Sequence, residues 1–375
     1  MTEQDDLSPY RKQIDDLDHQ IVELLLRRAQ AASHIGEVKR RKDEPVYRPD
    51  REQGVYENIV KYAAEVRKQW QGEPLPELPE STFRNIYREI MSGSIALEGG
   101  PSVGYLGPPG SFSHMATRYR FGNSVRGMPM DTIPEIFRSV ANLHEASYGV
   151  VPADNTAAGS VGITMDCFLD SSLQIYAEQF VRVRHHLMAA NHIELANIRK
   201  IYTIPIGLEQ CKEWARKNLP MHDVQVVETS STARAAQMVA ETSDGVAIAS
   251  ELASEIYGLK ILSRDIQDSS DNITRFWIVG HEQCPPGKKD RTSLVLSFHD
   301  EPGGLFRILK PFHDAGINLT RIESRATRKN YGEYNFFIDL EGHREAEPVK
   351  SILQELERYT SFLKVLGSYP MGQVD

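Results

Sequence analysis

The sequence predicts three modules of different fold class: an all-helical segment over residues 1–98, an α/β segment over 101–281 and an α+β segment over 290–370. The first rests on apolar residues at heptad spacing, Leu7, Ile14, Ile21 and Ile35 in one series and Leu17, Leu24, Ala31 and Val38 in another. The second rests on short apolar runs that alternate with helical patterns between Val103 and Ala249. The third rests on a strand–helix–strand–strand–helix–strand order that follows a Pro/Gly-rich linker, Cys284 to Asp290.

Bulk properties narrow the functional classes. A chain of 375 residues with 40% hydrophobic and 25% charged content is an ordinary globular protein, long enough for two or three domains. A net charge of −9 argues against nucleic acid or an anionic membrane as the main partner, so an anionic ligand must be met by local Arg and Lys clusters. Cys167, Cys211 and Cys284 are far apart and lack CxxC spacing, which points to neither a disulfide framework nor a metal site. No apolar run reaches the roughly 18 residues of a membrane span. The acidic start Met1–Asp6 is unlike a signal peptide, and a cytoplasmic protein is expected.

The heptads imply one long helix from Asp6 to Lys42, about 55 Å at 1.5 Å per residue, which needs other helices or another chain to pack on. Arg28 continues the Ile14–Ile21–Ile35 series, and a buried cation there requires an anion. Arg28 and Lys39 are about three turns apart on a shared face, close enough for two long side chains to converge on one small anion. Arg11 lies about 26 Å from Arg28 and about 42 Å from Lys39 along the same helix, too far to join them from its own chain. A second helix starts near Pro49-Asp50 with Val55, Ile59, Tyr62 and Val66 on one face. After the Pro-rich break Gly72–Pro79, a third carries Phe83, Tyr87, Ile90, Ser94 and Leu97.

On Arg11, Arg28, Lys39, the Asp50-Arg51-Glu52 step, Ser94 and Glu98, this segment resembles the all-helical chorismate mutases. The resemblance implies an intertwined dimer in which the partner supplies Arg11. It also implies a pericyclic conversion of chorismate to prephenate that needs charge clamps and hydrogen-bond donors rather than a nucleophile. Arg11 and Arg28 would clamp the carboxylates, Arg51 would add positive potential, Lys39 would address the ether oxygen and Glu52 the substrate hydroxyl, with Ser94 at the same site. Arg48, a further substrate contact, stands where some members have Asp. Glu98 stands where many have Gln, so donation to the ether oxygen there requires the protonated acid.

Beyond Gly99-Gly100-Pro101, the runs Val103–Leu106, Gly149–Val151, Ile201–Tyr202, Val224–Val227 and Val246–Ala249 read as a mainly parallel sheet under helices. Ligands of such sheets sit beyond the carboxyl ends of the strands. Those ends carry Gly110-Ser111, Asp154-Asn155-Thr156, Thr203, Ser230-Ser231-Thr232 and Ser250, and several of them open helices. Each such hydroxyl is also a natural helix cap, so their recurrence at one edge carries the reading. With no GxGxxG or GxxxxGK[ST], no nucleotide cofactor is expected. His185-His186 has no neighbouring carboxylate or thiol and reads as a structural pair. The stretch Asp271–Val279 joins a hydroxyl-bearing turn to a buried strand and places Thr274 and Arg275 at the mouth of a core.

The middle segment resembles prephenate dehydratases on Gly107–His114, Val151–Thr156, Gly159-Ser160-Val161, Ser231-Thr232-Ala233 and Thr274-Arg275-Phe276. That family has a two-lobed fold like a periplasmic binding protein, and it expels water and carbon dioxide from prephenate in the cleft. The resemblance implies that Thr274 assists the departing hydroxyl and Asn155 and Ser231 hold carboxylates. Arg275 would supply charge, with Ser111, Thr156, Thr232 and Phe276 lining the substrate site. Asp154-Asn155-Thr156 replaces the usual Glu-Asn-Ser, and Ile204-Pro205-Ile206 the usual His-Pro-Gln.

In the last segment, Leu294/Leu296/Phe298 alternate as a strand and Leu305/Ile308/Leu309/Phe312 keep helical spacing. Strands near Ile317–Ile322 and Tyr334–Leu340, a helix with Val349/Ile352/Leu353/Leu356 and a strand at Phe362–Leu366 complete a ferredoxin-like unit. It resembles an ACT domain through Gly303, Gly304 and Leu305, Asn318 and Leu319, and Glu323-Ser324-Arg325, which implies phenylalanine held at a pairing interface. The combined expectation is a homodimer or larger homo-oligomer that rearranges chorismate, dehydrates prephenate and is inhibited by phenylalanine. Two alternatives stand beside it: a mutase carrying a non-catalytic phenylalanine sensor, and a dehydratase acting on arogenate.

Overall fold

The computed structural model describes residues 7–42, 44–142, 145–326 and 334–372, so the expected helix start at Asp6 lies outside the described residues. Contacts divide the chain into two compact units. One comprises Met1–Arg48, Val55–Pro101 and Phe121–Arg126, the other Pro49–Gly54, Ser102–Arg120 and Gly127–Asp375.

Three helices supply the first unit: α1 (Ser8–Lys42), α2 (Pro49–Gln69, whose first turn groups with the second unit) and α3 (Glu80–Leu97). Pro49 stands in the first turn of α2, where its missing N–H costs nothing, and Asp50 and Glu52 beside it favour the positive end of the helix dipole. The C-terminal part of α1 packs on α3, with Ala32 and Gly36 buried. Its N-terminal half does not bury the heptad seam. Leu7, Ile14 and Ile21 are 59%, 56% and 52% exposed within the chain.

The second unit begins with β1 (Ser102–Leu106), α4 (Phe112–Phe121), β2 (Arg126–Met130), α5 (Ile133–Ala141), β3 (Tyr148–Asn155), β4 (Gly159–Ser160), α6 (Gly162–Asp170) and β5 (Gln174–Arg182). The chain crosses into a second lobe of β6 (His186–Ala189), β7 (Lys200–Thr203), α7 (Pro205–Glu209), α8 (Lys212–Asn218), β8 (Gln225–Glu228), α9 (Thr232–Thr242), β9 (Val246–Ala249), α10 (Glu251–Tyr257) and β10 (Lys260–Ser263). It returns through β11 (Ile273–Gly280). The first-lobe sheet has the order β2-β1-β3-β11-β5 with β4 on β3, and the second-lobe sheet the order β10-β6-β9-β7-β8. Both are mixed rather than mainly parallel. The returning strand β11 pairs antiparallel with β3 and β5, and β6 pairs antiparallel with β9 and β10.

The last module, β12 (Asp290–Ser297), α11 (Gly304–Asp314), β13 (Leu319–Ala326), β14 (Tyr334–Glu341), α12 (Val349–Leu356) and β15 (Phe362–Pro370), has the expected βαββαβ order and the sheet order β13-β14-β12-β15. It does not stand apart from the middle module. Val295, Phe337, Leu366 and Tyr369 belong to the same core cluster as Phe168, Trp277 and Val279. Gly367 makes the close approach possible, because a Cβ there would sit 2.2 Å from the Ile175 carbonyl oxygen of β5.

Removing residues after Gly280 therefore uncovers a core. Each lost large apolar contact is worth about 1.5–3 kcal/mol, against a whole-domain stability of about 5–15 kcal/mol. Such a truncated chain is expected to lose its cooperative thermal transition and to bind a hydrophobic dye rather than remain a folded, desensitised enzyme.

Candidate active sites and the family

In the helical unit, four of the expected residues meet. The Arg28 Nη1 donates to Ser94 Oγ at 2.6 Å, and Ser94 in turn donates to the Ile90 carbonyl at 2.8 Å. Lys39 Nζ lies 3.1 Å from Glu98 Oε2 and donates to the Val46 carbonyl at 2.7 Å. Two residues outside the sequence expectation shape this pair. Arg40 donates to the Glu98 carbonyl at 2.9 Å, and Gly36 leaves the space that Glu98 fills, since a Cβ there would come within 2.8 Å of Glu98 Cγ. Two cations, a hydroxyl and a carboxyl thus gather at the α1–α3 contact. Arg11 is exposed on the unpacked half of α1. Arg48 stands at the N-cap of α2, and Arg51 is exposed on its first turn. Glu52 pairs with Arg120 at 2.9 Å within the second unit, a partner too distant in sequence for periodicity to reveal.

In the two-lobed module, the centre is the Asn155–Thr274 pair, which are direct partners in the β3–β11 ladder. The Asn155 Oδ1 accepts the Ala157 and Ala158 N–H groups at 2.9 and 2.8 Å, which fixes the orientation of its amide. Its Nδ2 then donates to Thr274 Oγ1 at 2.8 Å and to Asn272 Oδ1 at 2.7 Å. With its oxygen already accepting, the Thr274 hydroxyl has its proton left to donate. Asn272 was not singled out from the sequence, although it lies two residues before Thr274 in the Asp271–Val279 stretch. Thr156 is exposed and donates to the Asp271 carbonyl at 2.8 Å. A cavity of about 420 Å³ is lined by the flanking residues Thr156, Ala157 and Asn272, together with Gln210, Gln267 and Asp268 among others.

Ser111 and Ser231 both serve as helix caps. Ser231 Oγ accepts the Arg234 N–H at 3.0 Å at the start of α9, where Thr232 is buried. Ser111 Oγ accepts the His114 N–H at 3.2 Å at the start of α4 and donates to the Leu106 carbonyl at 2.7 Å. What these positions offer an anion is the free N–H groups of two helix starts. The histidine pair is structural: His185 Nε2 lies 2.8 Å from Gln210 Oε1, and His186 Nδ1 accepts the Asp265 N–H at 3.1 Å.

His114 Nδ1 accepts the Gly110 N–H at 3.1 Å, and burial, reinforced by Arg118, holds its pKa down to about 4 from the ordinary 6.5. The unfolded chain then binds more protons than the folded one between these values. Stability is full above about 6.5 and is lost as pH falls toward 4. The melting temperature is expected to drop across that window, and to drop less steeply in His114→Asn, measured by thermal melts at stepped pH.

Arg275, expected to supply charge, and Phe276, expected to line the substrate site, are both buried. Phe276 is 1% exposed and belongs to the interior. Arg275 alternates with Thr274 along β11, so its guanidinium emerges on the opposite face of the sheet. There its Nε meets Glu178 Oε2 at 2.7 Å, its Nη1 meets Asp339 Oδ2 at 2.5 Å, and its Nη2 meets the Tyr369 hydroxyl at 2.9 Å. Sequence order could not reveal this, because Asp339 and Tyr369 come from the last module.

Among the expected effector residues, Gly303 caps α11 with φ 80°, Gly304 is buried, Leu305 is exposed and Asn318 donates to Glu341 Oε1 at 3.0 Å. Leu319 is half-buried and Ser324 is exposed on β13. Glu323 and Arg325 face the middle module, Glu323 bonded to Ser160 and Arg325 lying 3.3 Å from Asp166. Strand alternation separates Ser324 from its two sequence neighbours.

Comparison with known proteins matches each module. Residues 10–99 fit the chorismate mutase type II model, 103–284 the prephenate dehydratase model and 292–358 the ACT domain model. A bifunctional chorismate mutase/prephenate dehydratase from Aquifex aeolicus is 42% identical over 366 residues, covering 98% of this chain and 98% of that protein. One from Pseudomonas aeruginosa is 39% identical over 375 residues, covering 99% of each. The structure of a prephenate dehydratase in complex with L-Phe from Arthrobacter aurescens is 31% identical with a TM-score of 0.66, covering 72% of this chain and 90% of that one. Among the described residues no helix is long and apolar enough to cross a membrane. With the two catalytic modules and the regulatory module following one another along its length, the chain belongs to the bifunctional chorismate mutase/prephenate dehydratase family of phenylalanine biosynthesis.

Proposed function

We propose that the two reactions run at the two constellations described above, and that the 2.8 Å bond from Asn155 to Thr274 carries the dehydratase assignment. Prephenate must lose a ring hydroxyl and a carboxylate. The difficult event is the departure of a poor leaving group, and the Thr274 proton is the donor aimed by the pair. Asn155 orients that donor instead of gripping a carboxylate, since all its amide functions are engaged. The substrate carboxylates are taken by N–H groups at the starts of α4 and α9, beside Ser111, Ser231 and Thr232.

At the mutase site, Arg28 clamps a chorismate carboxylate, and Lys39, held 3.1 Å from Glu98, addresses the ether oxygen. Arg11 completes the site from a second copy of the chain. Support comes from the exposed heptad seam: each of Leu7, Ile14, Leu17, Ile21 and Leu24 gains about 1.5–3 kcal/mol when buried, which one chain leaves unrealised. The assembly is a cytoplasmic homodimer or a multiple of it, and the ACT module takes phenylalanine near Gly303, Gly304, Leu305 and Ser324. Purified protein supplied with prephenate tests the dehydratase half. Release of phenylpyruvate that slows on adding phenylalanine is expected, and undiminished release would sink the effector reading.

A further inference from the structure

Arg275 is flanked along β11 by Thr274, yet its partners Glu178, Asp339 and Tyr369 lie on the face away from the cleft, and two of them belong to the regulatory module. We propose that Asp339 of the regulatory sheet is a positioning residue for the dehydratase reaction, acting through Arg275 on the Thr274–Asn155 pair. This rests on the cleft reading above.

Three features make the link more than a stabilising ion pair. Arg275 is 5% exposed and Asp339 2% exposed, so neither side chain can trade its partner for water. The ladder between β11 and β3 slips in register directly after Arg275, where Arg275 faces Asp154 but Phe276 faces Pro152. A bulge of this kind re-aims side chains and leaves the local backbone dependent on what anchors it. Finally, Arg275 Nη1 also lies 3.6 Å from Asp154 Oδ2. The guanidinium of the residue after Thr274 therefore adjoins the carboxyl of the residue before Asn155.

The anchor itself is braced on the regulatory side. The Ser293 hydroxyl donates to Asp339 Oδ1 at 2.6 Å and lies 2.5 Å from the Tyr369 hydroxyl. Arg291 Nη1 reaches both oxygens of Glu178, at 2.6 and 2.7 Å. Strands β12, β14 and β15 thus all contribute to holding Arg275. The dehydratase rate depends on the regulatory sheet even with no effector bound.

The test uses full-length Asp339→Asn, Thr274→Val, their double variant and Tyr369→Phe, with mutase turnover as an internal control. Asp339→Asn is expected to lower dehydratase kcat by about tenfold or more, since small misplacements at a reacting centre have effects of that size. The prephenate KM should move by no more than about twofold, because the helix-start groups that hold the carboxylates are untouched. The double variant should be no slower than Thr274→Val alone, as expected when one residue acts through the other. A folded Asp339→Asn enzyme with wild-type kcat overturns the proposal, and so does a double variant slower than Thr274→Val by a further factor of about ten. If Asp339→Asn does not fold, Tyr369→Phe decides. It keeps every charge and removes one hydroxyl with its contacts to Arg275 and Ser293, and a kcat lowered by about threefold supports the link while an unchanged kcat overturns it. A wild-type rate in Thr274→Val would remove the cleft reading and this inference with it. A lost rate there beside a full rate in Asp339→Asn would remove this inference alone.

Discussion

Thr274→Val is expected to lower phenylpyruvate formation by about 10²–10³-fold, the usual effect of deleting one donor aimed at developing negative charge. Mutase turnover should stay at the wild-type level, because Arg28, Lys39, Ser94 and Glu98, the residues proposed for the mutase site, are in the other compact unit. Valine keeps the shape and the strand preference, so the loss would report the hydroxyl and not the fold. The geometry behind this is specific. Asn155 donates to Thr274 Oγ1 at 2.8 Å, which leaves the threonine proton available to donate. Assayed on prephenate, the variant should accumulate unreacted substrate. An unchanged rate would place the chemistry elsewhere in the cleft.

The second large effect belongs to the mutase and to its assembly. Lys39→Ala removes the cation 3.1 Å from Glu98 and is expected to cost about 10²–10³ in mutase rate, with Arg11→Ala comparably damaging. The two variants should rescue each other. In a mixed dimer, one of the two sites receives Lys39 from one chain and Arg11 from the other, so an equal mixture of refolded chains should recover about a quarter of wild-type activity. No recovery in verified heterodimers would show that Arg11 serves its own chain or none.

Much of the architecture was legible because local patterns set it. The heptads, the Pro-rich break at Gly72–Pro79 and the βαββαβ order all appear where the periodicities put them. The mixed sheets were not legible. β5, β6 and β10 carry no clear alternation, and strand direction follows from the chain crossing between lobes, a tertiary property. Sites divide in the same way. Arg28, Lys39, Ser94 and Glu98 lie on helices whose faces can be computed from spacing, and the structure brings them together. The partners of Arg275 were not legible because adjacency to Thr274 looks like a shared face, whereas strand alternation sends the two side chains to opposite faces. The same alternation separates Glu323 and Arg325 from Ser324 on β13. Asn272, Arg40 and Arg120 were overlooked because each matters through a partner far away in sequence.

The shared core of the middle and last modules also bears on regulation. Phe337, Leu366 and Tyr369 pack with Trp277 of β11, so any rearrangement of the regulatory sheet is felt at the strand that carries Thr274.

The central claim, two catalytic sites on one chain, is tested most directly by supplying purified full-length protein with chorismate and following prephenate and phenylpyruvate separately over time. The account predicts that prephenate rises first and then gives way to phenylpyruvate without any added enzyme. Prephenate that accumulates to completion, with no phenylpyruvate formed, would contradict it and leave the chain a mutase joined to a sensor.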